Sequence, residues 1–465
     1  MTDYDMSLLL SDATHLAELL QRNDITSEAL TRQTLNAIER LDPALNCYIS
    51  VYAEAALEAA RASDARRRAG QLRSPLDGLT LAVKDNIDVA GMVTTAGLNI
   101  PAQAAPAESD AFVIAQLREA GCVILGKLNM HEAALGATND NPHHGRCINP
   151  HRSGFTPGGS SGGSGAAVAA GLCALALGTD TMGSVRIPAS YCGVSGLKPT
   201  AGAVSIGGSV LLSRRLDNIG PLARSPRDLA LIMPWMVKQD PACAQSRGLS
   251  LASEMKPLEQ LHIAVLSDVS GMDVEADIAQ AYAHAVKHLT QQGAQVSYCD
   301  LSQFDFARSR RAGLLMCEVD MYLYHQSQLD AHPEYYSDQL KAMMQWGIAK
   351  TAVDVQAADW RMDDTSVQLA QLLSDVDVLL LPTAPQTAFC FDQPAPTGQA
   401  DLTNMANMSG HPAISVPMGL SQAGLPMGLQ MVGQRGADRS LIDLAQWFAD
   451  TAGGQCPLKP ELLLS

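Results

Sequence analysis

The sequence predicts an α/β protein: a single large domain with a mixed, mostly central β-sheet covered on both faces by helices. Short apolar runs of strand length alternate with amphipathic helical segments along most of the 465 residues. Such alternation is typical of a parallel or mixed sheet that is buried on both faces. The composition, 47% hydrophobic with 37 glycines, provides a sizeable core and suits close packing of helices on a sheet.

The chain opens with helical segments. Residues 7–45 have the apolar spacing of a helix, in which Thr26 or Ser27 can cap a segment that Pro43 is expected to end. A further helix is predicted over residues 54–69, an alanine-rich run that a glycine follows. These segments predict a helical cap at the N-terminus.

Strands and helices then alternate. Strands are predicted over residues 79–83 and 122–125, with an amphipathic helix over 110–120 between them. The small-residue run 166–177 predicts a buried helix that runs into a strand. The later predicted elements are strands at 262–266, 295–298, 376–381, 413–416 and 428–432, and helices at 274–292 and 440–451.

Four segments are expected within the one domain. The third segment, residues 226–370, is more charged and richer in helices than the other three, and we expect it to face the substrate. Tyr322, Tyr324, His325, Tyr335 and Tyr336 cluster in one short region of it. The candidate contact residues, which the sequence does not rank, are Arg311, Tyr322, Tyr324 and His325. The segments are a helical segment packed on the core (1–75), the core with the candidate site (76–225), a helix-rich substrate-side insertion (226–370) and a C-terminal return to the sheet (371–465).

Charge and cysteine usage exclude several classes of protein. A formal net charge of −16 argues against a nucleic-acid partner. The N-terminus carries no basic region of a signal peptide, and the longest apolar run, residues 165–178, is shorter than the roughly 20 residues that span a bilayer. The ten cysteines form no C-x-x-C motif, which predicts reduced thiols in a cytoplasmic protein. Because no apolar run is long enough to span a bilayer, no membrane partner is expected.

The glycine-rich stretch at residues 157–165 reads PGGSSGGSG and fits two familiar motifs poorly. A G-x-S-x-G nucleophile elbow needs a hydrophobic strand directly before it, but residues 149–157 read NPHRSGFTP. A phosphate-binding P-loop needs a Lys-Ser or Lys-Thr pair after the glycines, and none follows. On its own, the stretch is a tight structural turn or a simple anion-binding loop.

Two other stretches of the sequence change the interpretation of this glycine-rich segment. Residues 79–97 read LTLAVKDNIDVAGMVTTAG, and residues 177–200 read LGTDTMGSVRIPASYCGVSGLKPT. Together with PGGSSGGSG, these stretches resemble the amidase signature family, serine hydrolases that cut amide bonds. Further resembling stretches lie at residues 126–141, 216–225, 375–385 and 410–433. The resemblance covers nearly the whole chain and implies the family's single large domain.

The resemblance implies a Ser–Ser–Lys triad. Ser184 matches the nucleophile, Ser160 the bridging serine and Lys84 the base, and the two serines are 24 positions apart (184 − 160), as in the family. A serine hydroxyl needs a base to become a nucleophile. A lysine can act as that base only if its pKa falls from about 10.4 to about 7.5. Such a shift means that the protein disfavours the charged form of the lysine by roughly 4 kcal/mol. Burial behind the apolar run LTLAV would supply that shift.

The resemblance also implies an oxyanion hole of consecutive backbone amides, at Thr181, Met182, Gly183 and Ser184. The family usually has glycine where this chain has Met182. If that position needs a positive φ, methionine costs about 1 kcal/mol or more. Otherwise its side chain narrows the pocket or makes it more apolar.

Five further residues match supporting positions of the family. Gly159 precedes the bridging serine across an implied cis peptide bond, and Ser161 supports the loop catalytically or only structurally. Asp180 and Arg186 flank and brace the loop of residues 181–184, which we call the nucleophile loop because it contains Ser184. They do so as an ion pair or as ordinary structural charges. Met130 matches a position at which the family lines the acyl site with backbone.

Four histidines, at positions 131, 143, 144 and 151, raise the alternatives of a metal site or a Ser-His-Asp triad. His143 and His144 are adjacent and cannot face the same way on a strand, which favours a loop. No metal and no cofactor is therefore expected.

Four functions remain open. The first is a stand-alone amidase acting on a small-molecule amide, and the second is the glutaminase subunit of a tRNA-dependent amidotransferase. That subunit usually has glutamine at the position of Asn218 and a different sequence at residues 130–141, which favours the stand-alone amidase. The others are a hydrolase of urea-like substrates such as allophanate, and an inactive binding protein on an amidase fold, which only Met182 favours. A homodimer is the family-level expectation.

Overall fold

The computed structural model describes residues 4–249, 254–267, 269, 272–301, 304–454 and 456. The outermost residues of the first and last predicted segments, 1–3 and 457–465, lie outside this description. The strands are β1 (Tyr48–Val51), β2 (Thr80–Lys84), β3 (Val123–Leu128), β4 (Asp140–Asn141), β5 (Gly145–Arg146), β6 (Leu175–Asp180), β7 (Ser195–Lys198), β8 (Asn218–Ala223), β9 (His262–Leu266), β10 (Gln295–Cys299), β11 (Val378–Pro382), β12 (Ala413–Leu420) and β13 (Pro426–Gly433).

Helices pack around these strands. They are α1 (Met6–Leu9), α2 (Ala13–Arg22), α3 (Ser27–Leu45), α4 (Ala53–Arg68), α5 (Phe112–Glu119), α6 (Gly162–Ala169), α7 (Arg186–Cys192), α8 (Pro226–Met236), α9 (Ala276–Gln291), α10 (Phe306–Ala331), α11 (Asp338–Ile348), α12 (Ala352–Ser374), α13 (Asn404–Ser409) and α14 (Asp438–Ala452).

Eleven strands form one mixed sheet in the order β1-β3-β2-β6-β8-β7-β12-β13-β11-β9-β10. β2 runs parallel to its neighbours β3 and β6, and β9 runs parallel to β10 and β11, whereas the remaining pairs are antiparallel. This confirms the predicted mixed α/β fold. Because β2 and β6 are parallel neighbours, their carboxyl ends, Lys84 and Asp180, lie at the same edge of the sheet.

The N-terminal helices differ from the prediction in their boundaries. Residues 7–45 form three helices, and Asn23, with a φ of 59°, ends the second. Thr26 caps α3 as predicted, accepting from the N–H of Ala29. Pro43 does not end α3, which continues to Leu45, because a proline in the last turn removes only one helical hydrogen bond.

The run 166–177 contains less helix than predicted. α6 begins earlier, at Gly162, and ends at Ala169, and β6 starts at Leu175. The helix begins among glycines because a Cβ on Gly163 would overlap the backbone of Asn129 and Cys47. Close approach of the neighbouring backbone therefore selects glycine in the first turn.

The segment 226–370 contributes both sheet and helices. β9 and β10 extend the sheet at one edge. Most of its remaining helical residues lie in α10, α11 and the start of α12, which we call the insertion helices. α11 and α12 both pack on α10, and α10 and α12 also pack on α13, the short helix whose Asn407 donates to the carbonyl of Asp180 at 2.9 Å.

Two expectations about the environment of the chain can be compared with the structure. No helix in the described ranges is long and apolar enough to cross a membrane. All ten cysteines lie in the described part of the chain, and all are unpaired thiols. Seven of them are buried, in agreement with the prediction of reduced core thiols.

Candidate active site

The amine of Lys84 lies inside the protein at the carboxyl end of β2. The apolar residues before it fill the core, and every residue of the strand is buried. Its Nζ donates to Ser160 Oγ at 2.7 Å and to Thr179 Oγ1 at 2.7 Å. Asn86 Nδ2 also donates to Thr179 Oγ1, at 3.1 Å, and so fixes that hydroxyl. Lys84 and Ser160 are therefore in direct hydrogen-bond contact.

Burial changes the acidity of this lysine. It lowers the pKa of Lys84 from its ordinary value to about 7, although the negative charges of Asp217 and Asp180 act in the opposite direction. Near neutral pH, a substantial fraction of the amine is thus uncharged. An uncharged amine can accept a proton from the hydroxyl that it contacts.

The turn that contains Ser160 is held from several sides. The Gly159–Ser160 peptide bond is cis, and Ser160 is fully buried. A Cβ on Gly159 would lie 2.8 Å from the backbone of residues 137 and 138, so only glycine fits there. Ser161 Oγ donates to the carbonyl of Thr179 at 3.1 Å, which ties the turn to β6.

Ser184 lies beside this turn, between β6 and α7. Its carbonyl accepts from the N–H of Ser161 at 3.2 Å, which brings the two segments together. Its side chain is half-buried, and its hydroxyl makes no hydrogen bond to any described residue. The structure thus joins Lys84 to Ser160 and places Ser184 next to them through the backbone, without a hydrogen bond between the two serine hydroxyls.

A buried ion pair braces the nucleophile loop. The Arg186 guanidinium binds both carboxylate oxygens of Asp180 at 2.9 Å, and both side chains are fully buried. Burial alone would raise the pKa of the Asp180 carboxyl, but the guanidinium beside it holds that pKa well below its usual range. The remaining donors of Arg186 bind the carbonyl of Thr403 at 2.9 Å and the side chains of Asn407 and Gln430 at 2.6 Å each.

The amides of the predicted oxyanion hole divide into two groups. The N–H of Gly183 donates to Asp180 Oδ1 at 2.8 Å and is therefore occupied. The N–H groups of Thr181, Met182 and Ser184 meet no acceptor within the described residues. Three N–H groups, one of them that of Ser184 itself, are thus left for the predicted oxyanion role.

The backbone of the loop explains how methionine is accommodated. Gly183 has a φ of 130°, and a Cβ there would overlap the side chain of Thr403. Met182 has no positive φ, so the glycine usual in the family is not required at that position. Its side chain is buried, and its Sδ lies 3.1 Å from where a Cβ on Gly313 of α10 would stand.

Several contacts of the site were absent from the sequence analysis. Asp217 accepts from Thr181 Oγ1 at 2.6 Å and from the N–H of Leu212 at 2.8 Å, and burial raises the pKa of its carboxyl to about 6. Thr403 Oγ1 donates to the carbonyl of Met182 at 2.6 Å. Thr179 directly precedes Asp180 on β6, beside β2, and the parallel pairing of those strands would have identified it.

Met130 and the histidines occupy separate environments. The Met130 carbonyl accepts from Asn141 Nδ2 at 2.8 Å, and burial lowers the pKa of His131 to about 4. His143 Nε2 lies 3.0 Å from a Glu132 oxygen, whereas His151 Nε2 lies 3.0 Å from the carbonyl of Cys192. No group of three or more His, Cys, Asp or Glu side chains in the described ranges is arranged to hold a metal ion.

The candidates on the insertion bind one another or nearby backbone. His325 Nδ1 lies 3.1 Å from the hydroxyl of Tyr336, and Tyr324 donates to the carbonyl of Ser209 at 3.4 Å. Arg311 pairs with Glu318 at 2.8 Å. Tyr322, Tyr335 and Tyr336 pack in or against an apolar cluster that also contains Met130 and Met182.

Known proteins match this chain over most of its length. A protein-family model described as Amidase matches residues 29–442. A glutamyl-tRNA(Gln) amidotransferase subunit of Moorella thermoacetica is 34% identical, over 95% of this chain and 97% of that protein. A crystal structure of an amidase superposes with a TM-score of 0.86 at 31% identity, covering 95% of this chain and 100% of that one. The peptide amidase of Stenotrophomonas maltophilia superposes with a TM-score of 0.83 at 28% identity, covering 97% and 98%.

Proposed function

The chain belongs to the amidase signature family of hydrolases that act on amide C–N bonds, and from that premise we propose that Ser184 is the nucleophile of a carboxamide hydrolase. The observation that carries this proposal is the 2.7 Å hydrogen bond from Lys84 Nζ to Ser160 Oγ at a buried lysine. A lysine held neutral beside a serine is the base that a second serine needs.

In the proposed first step, neutral Lys84 takes the proton of Ser160 while Ser160 takes the proton of Ser184. The Ser184 oxygen forms a bond to the substrate carbonyl carbon, and the carbonyl electron pair moves to its oxygen. The free N–H groups of Thr181, Met182 and Ser184 stabilise that oxyanion. The ion pair of Asp180 and Arg186 holds their loop in place.

In the second step, the oxyanion collapses and the C–N bond breaks. The proton held by Lys84 returns through Ser160 to the departing nitrogen, so that ammonia or an amine leaves. Water then attacks the Ser184 ester by the same proton path, which releases the acid and restores the enzyme.

A fluorophosphonate probe tests the proposal, because only an activated serine reacts with it. We expect one probe per chain, located at Ser184 by mass spectrometry, and ammonia release from a panel of aliphatic, aromatic, amino-acid and ureido amides. Ser184→Ala should lose both probe labelling and ammonia release. Ser267→Ala, which changes an exposed serine, should keep both. Unchanged turnover in Ser184→Ala would exclude this nucleophile.

A second candidate function is the glutaminase subunit of an amidotransferase. It is favoured by the relative from Moorella thermoacetica, whose name describes an amidotransferase subunit. The two functions differ in their need for partners. A stand-alone amidase hydrolyses amides as a purified chain, whereas a glutaminase subunit would hydrolyse glutamine efficiently only when its partner subunits are added.

A further inference from the structure

We propose that the substrate of this site carries an uncharged, apolar acyl group, and that Met182 limits the size of that group. This inference rests on the proposed function, since it describes how the site would hold the acyl part of the substrate beside Ser184. It is carried by the apolar cluster beside the two serines, by the pairing of the nearby charges and by the fit of Met182 against α10.

Two methionines are connected to the serines through short stretches of backbone. Met182 lies two positions before Ser184 on the same loop. Met130 lies next to His131, whose N–H donates to the carbonyl of Ser160 at 3.1 Å. Both belong to one cluster of buried residues, which we call the methionine cluster. Its members are Leu98, Met130, Ala133, Ala134, Leu135, Met182, Leu212, Leu216, Cys317, Met321, Tyr336, Leu340, Met344, Met362 and Met408.

The composition of the methionine cluster suits a surface that adapts to a ligand. Six of its 15 buried members are methionine, and none of those described is valine or isoleucine. A methionine side chain is unbranched and polarizable, so it fills gaps of irregular shape and rearranges at low cost. The cluster extends from the nucleophile loop into the insertion helices, which places adaptable apolar side chains beside the reacting serine.

Three charged side chains near the methionine cluster already have partners. Arg310 of α10, one turn before Gly313, pairs with Asp401. Arg311 pairs with Glu318 at 2.8 Å, and Asp320 accepts from Ser213 Oγ at 2.8 Å. A substrate with a charged group near its acyl chain would have to displace one of these partners or remain unpaired, and both outcomes carry a desolvation cost.

Met182 fits against a glycine on α10. A Cβ on Gly313 would stand 2.9 Å from Met408 Cε and 3.1 Å from Met182 Sδ. A side chain at position 313 would force the flexible ends of both methionines to shift, so glycine lets them lie against the helix as they do here. Shortening either one therefore opens space directly between α10 and the nucleophile loop.

Steady-state kinetics on a series of linear primary amides tests this inference. For the unaltered chain, we expect kcat/KM to rise about fourfold per added methylene until the acyl chain becomes long enough to meet Met182. Glutamine should react more slowly than the uncharged amide of similar length. In Met182→Ala, the longest and bulkiest amides should gain on the shortest by roughly tenfold in relative kcat/KM.

Two further variants make the test decisive. Met408→Ala removes the other methionine at Gly313 and should shift the preference in the same direction, even if Met182→Ala folds poorly. Met427→Leu, in the sheet away from the site, should leave the preference unchanged.

The inference is overturned if glutamine or a ureido amide is the best substrate, or if both alanine variants slow all amides equally. Those outcomes leave the proposed amide hydrolysis intact. Failure of that function is a different result, namely no probe on Ser184 and no ammonia from any amide.

Discussion

The buried side chains around the sheet and those of the methionine cluster differ in stiffness. In the described residues, the large cluster around the sheet has 90 buried members, of which 24 are valine or isoleucine and seven are methionine. The methionine cluster has six methionines among 15 members and neither valine nor isoleucine. Branching at Cβ restricts side-chain rotation, whereas methionine keeps several conformations.

The two regions meet at the nucleophile loop. Lys84, Asp180 and Arg186 belong to this stiff side, where strands and a buried ion pair fix the proposed base and the loop that carries Ser184. Met182 belongs to the other side, although it lies in the same loop. Under the proposed mechanism, proton transfer would depend on the fixed geometry of the first region, and acceptance of the acyl group on side chains of the second region that can rearrange.

The largest expected effect concerns the base. Lys84→Met should lower kcat/KM by about 10²–10⁴-fold, the usual loss on removing a general base. The midpoint of thermal unfolding should not fall, because burial disfavours the charged lysine.

Lys198→Met is the matched control for Lys84→Met. Lys198 is equally buried, and burial lowers its pKa to about 7 as well, but it lies outside the triad. Similar losses of activity in both variants would mean that any buried lysine at this edge of the sheet matters, and would remove the special role of position 84.

The next effect concerns the free energy of unfolding, compared between the region around the sheet and the insertion. Arg186→Met leaves the Asp180 carboxylate buried without its partner, which should lower the free energy of unfolding by about 3–5 kcal/mol. Arg311→Met, on the insertion, removes a cation whose side chain is 45% exposed and should cost at most about 1 kcal/mol. Urea unfolding measures both, and equal losses would contradict the contrast between the two regions.

The pH dependence should report on Lys84. Because the amine acts as a base only when unprotonated, kcat/KM should rise with pH through the lysine's pKa of about 7. The negative charge of Asp217 raises that pKa, so Asp217→Asn should move the rise to lower pH.

Asp228→Asn controls for the loss of a carboxylate in the pH experiment. Its carboxyl pKa is also raised to about 6 by burial, but its partners are Ala13 and Thr14 at the start of α2. The rise should stay in place in this variant. A shift in Asp228→Asn, or none in Asp217→Asn, would argue against Lys84 as the titrating group.

The smallest effect concerns packing. Met344→Leu in the methionine cluster should change the free energy of unfolding by less than about 1.5 kcal/mol, since this swap nearly conserves volume. Val265→Leu adds a methylene to the stiff side and should cost about 1–3 kcal/mol. Calorimetry that found the larger loss in Met344→Leu would show that the cluster is packed as tightly as the sheet.

The sequence predicted the fold because strands and helices follow local patterns, whereas the pairing of Lys84 with Ser160, 76 positions apart, was expected only from the family resemblance. The apolar run of β2 delivers the lysine, and the glycines around Ser160 specify a tight turn. β9 was predicted to the residue for the same reason, as a short apolar run. By contrast, β7 and β8 contain glycine, proline and lysine and give little strand signal.

The parts that were missed depend on contacts between distant segments. Thr403, Asn407 and Gln430 hold the nucleophile loop from more than 200 positions away. Which of residues 182 and 183 needs glycine is decided by the φ of 130° at Gly183 and by the contact of that residue with Thr403, neither of which the loop's own sequence reveals. Patterns within one segment cannot specify such partners.

The reach of Arg186 has a consequence for synthesis of the protein. Its guanidinium ties the nucleophile loop to residues 403, 407 and 430. During synthesis, residues 181–184 are made before these three partners. The loop can therefore take its braced conformation only after residue 430 has been added, because until then a donor of the buried guanidinium lacks its acceptor.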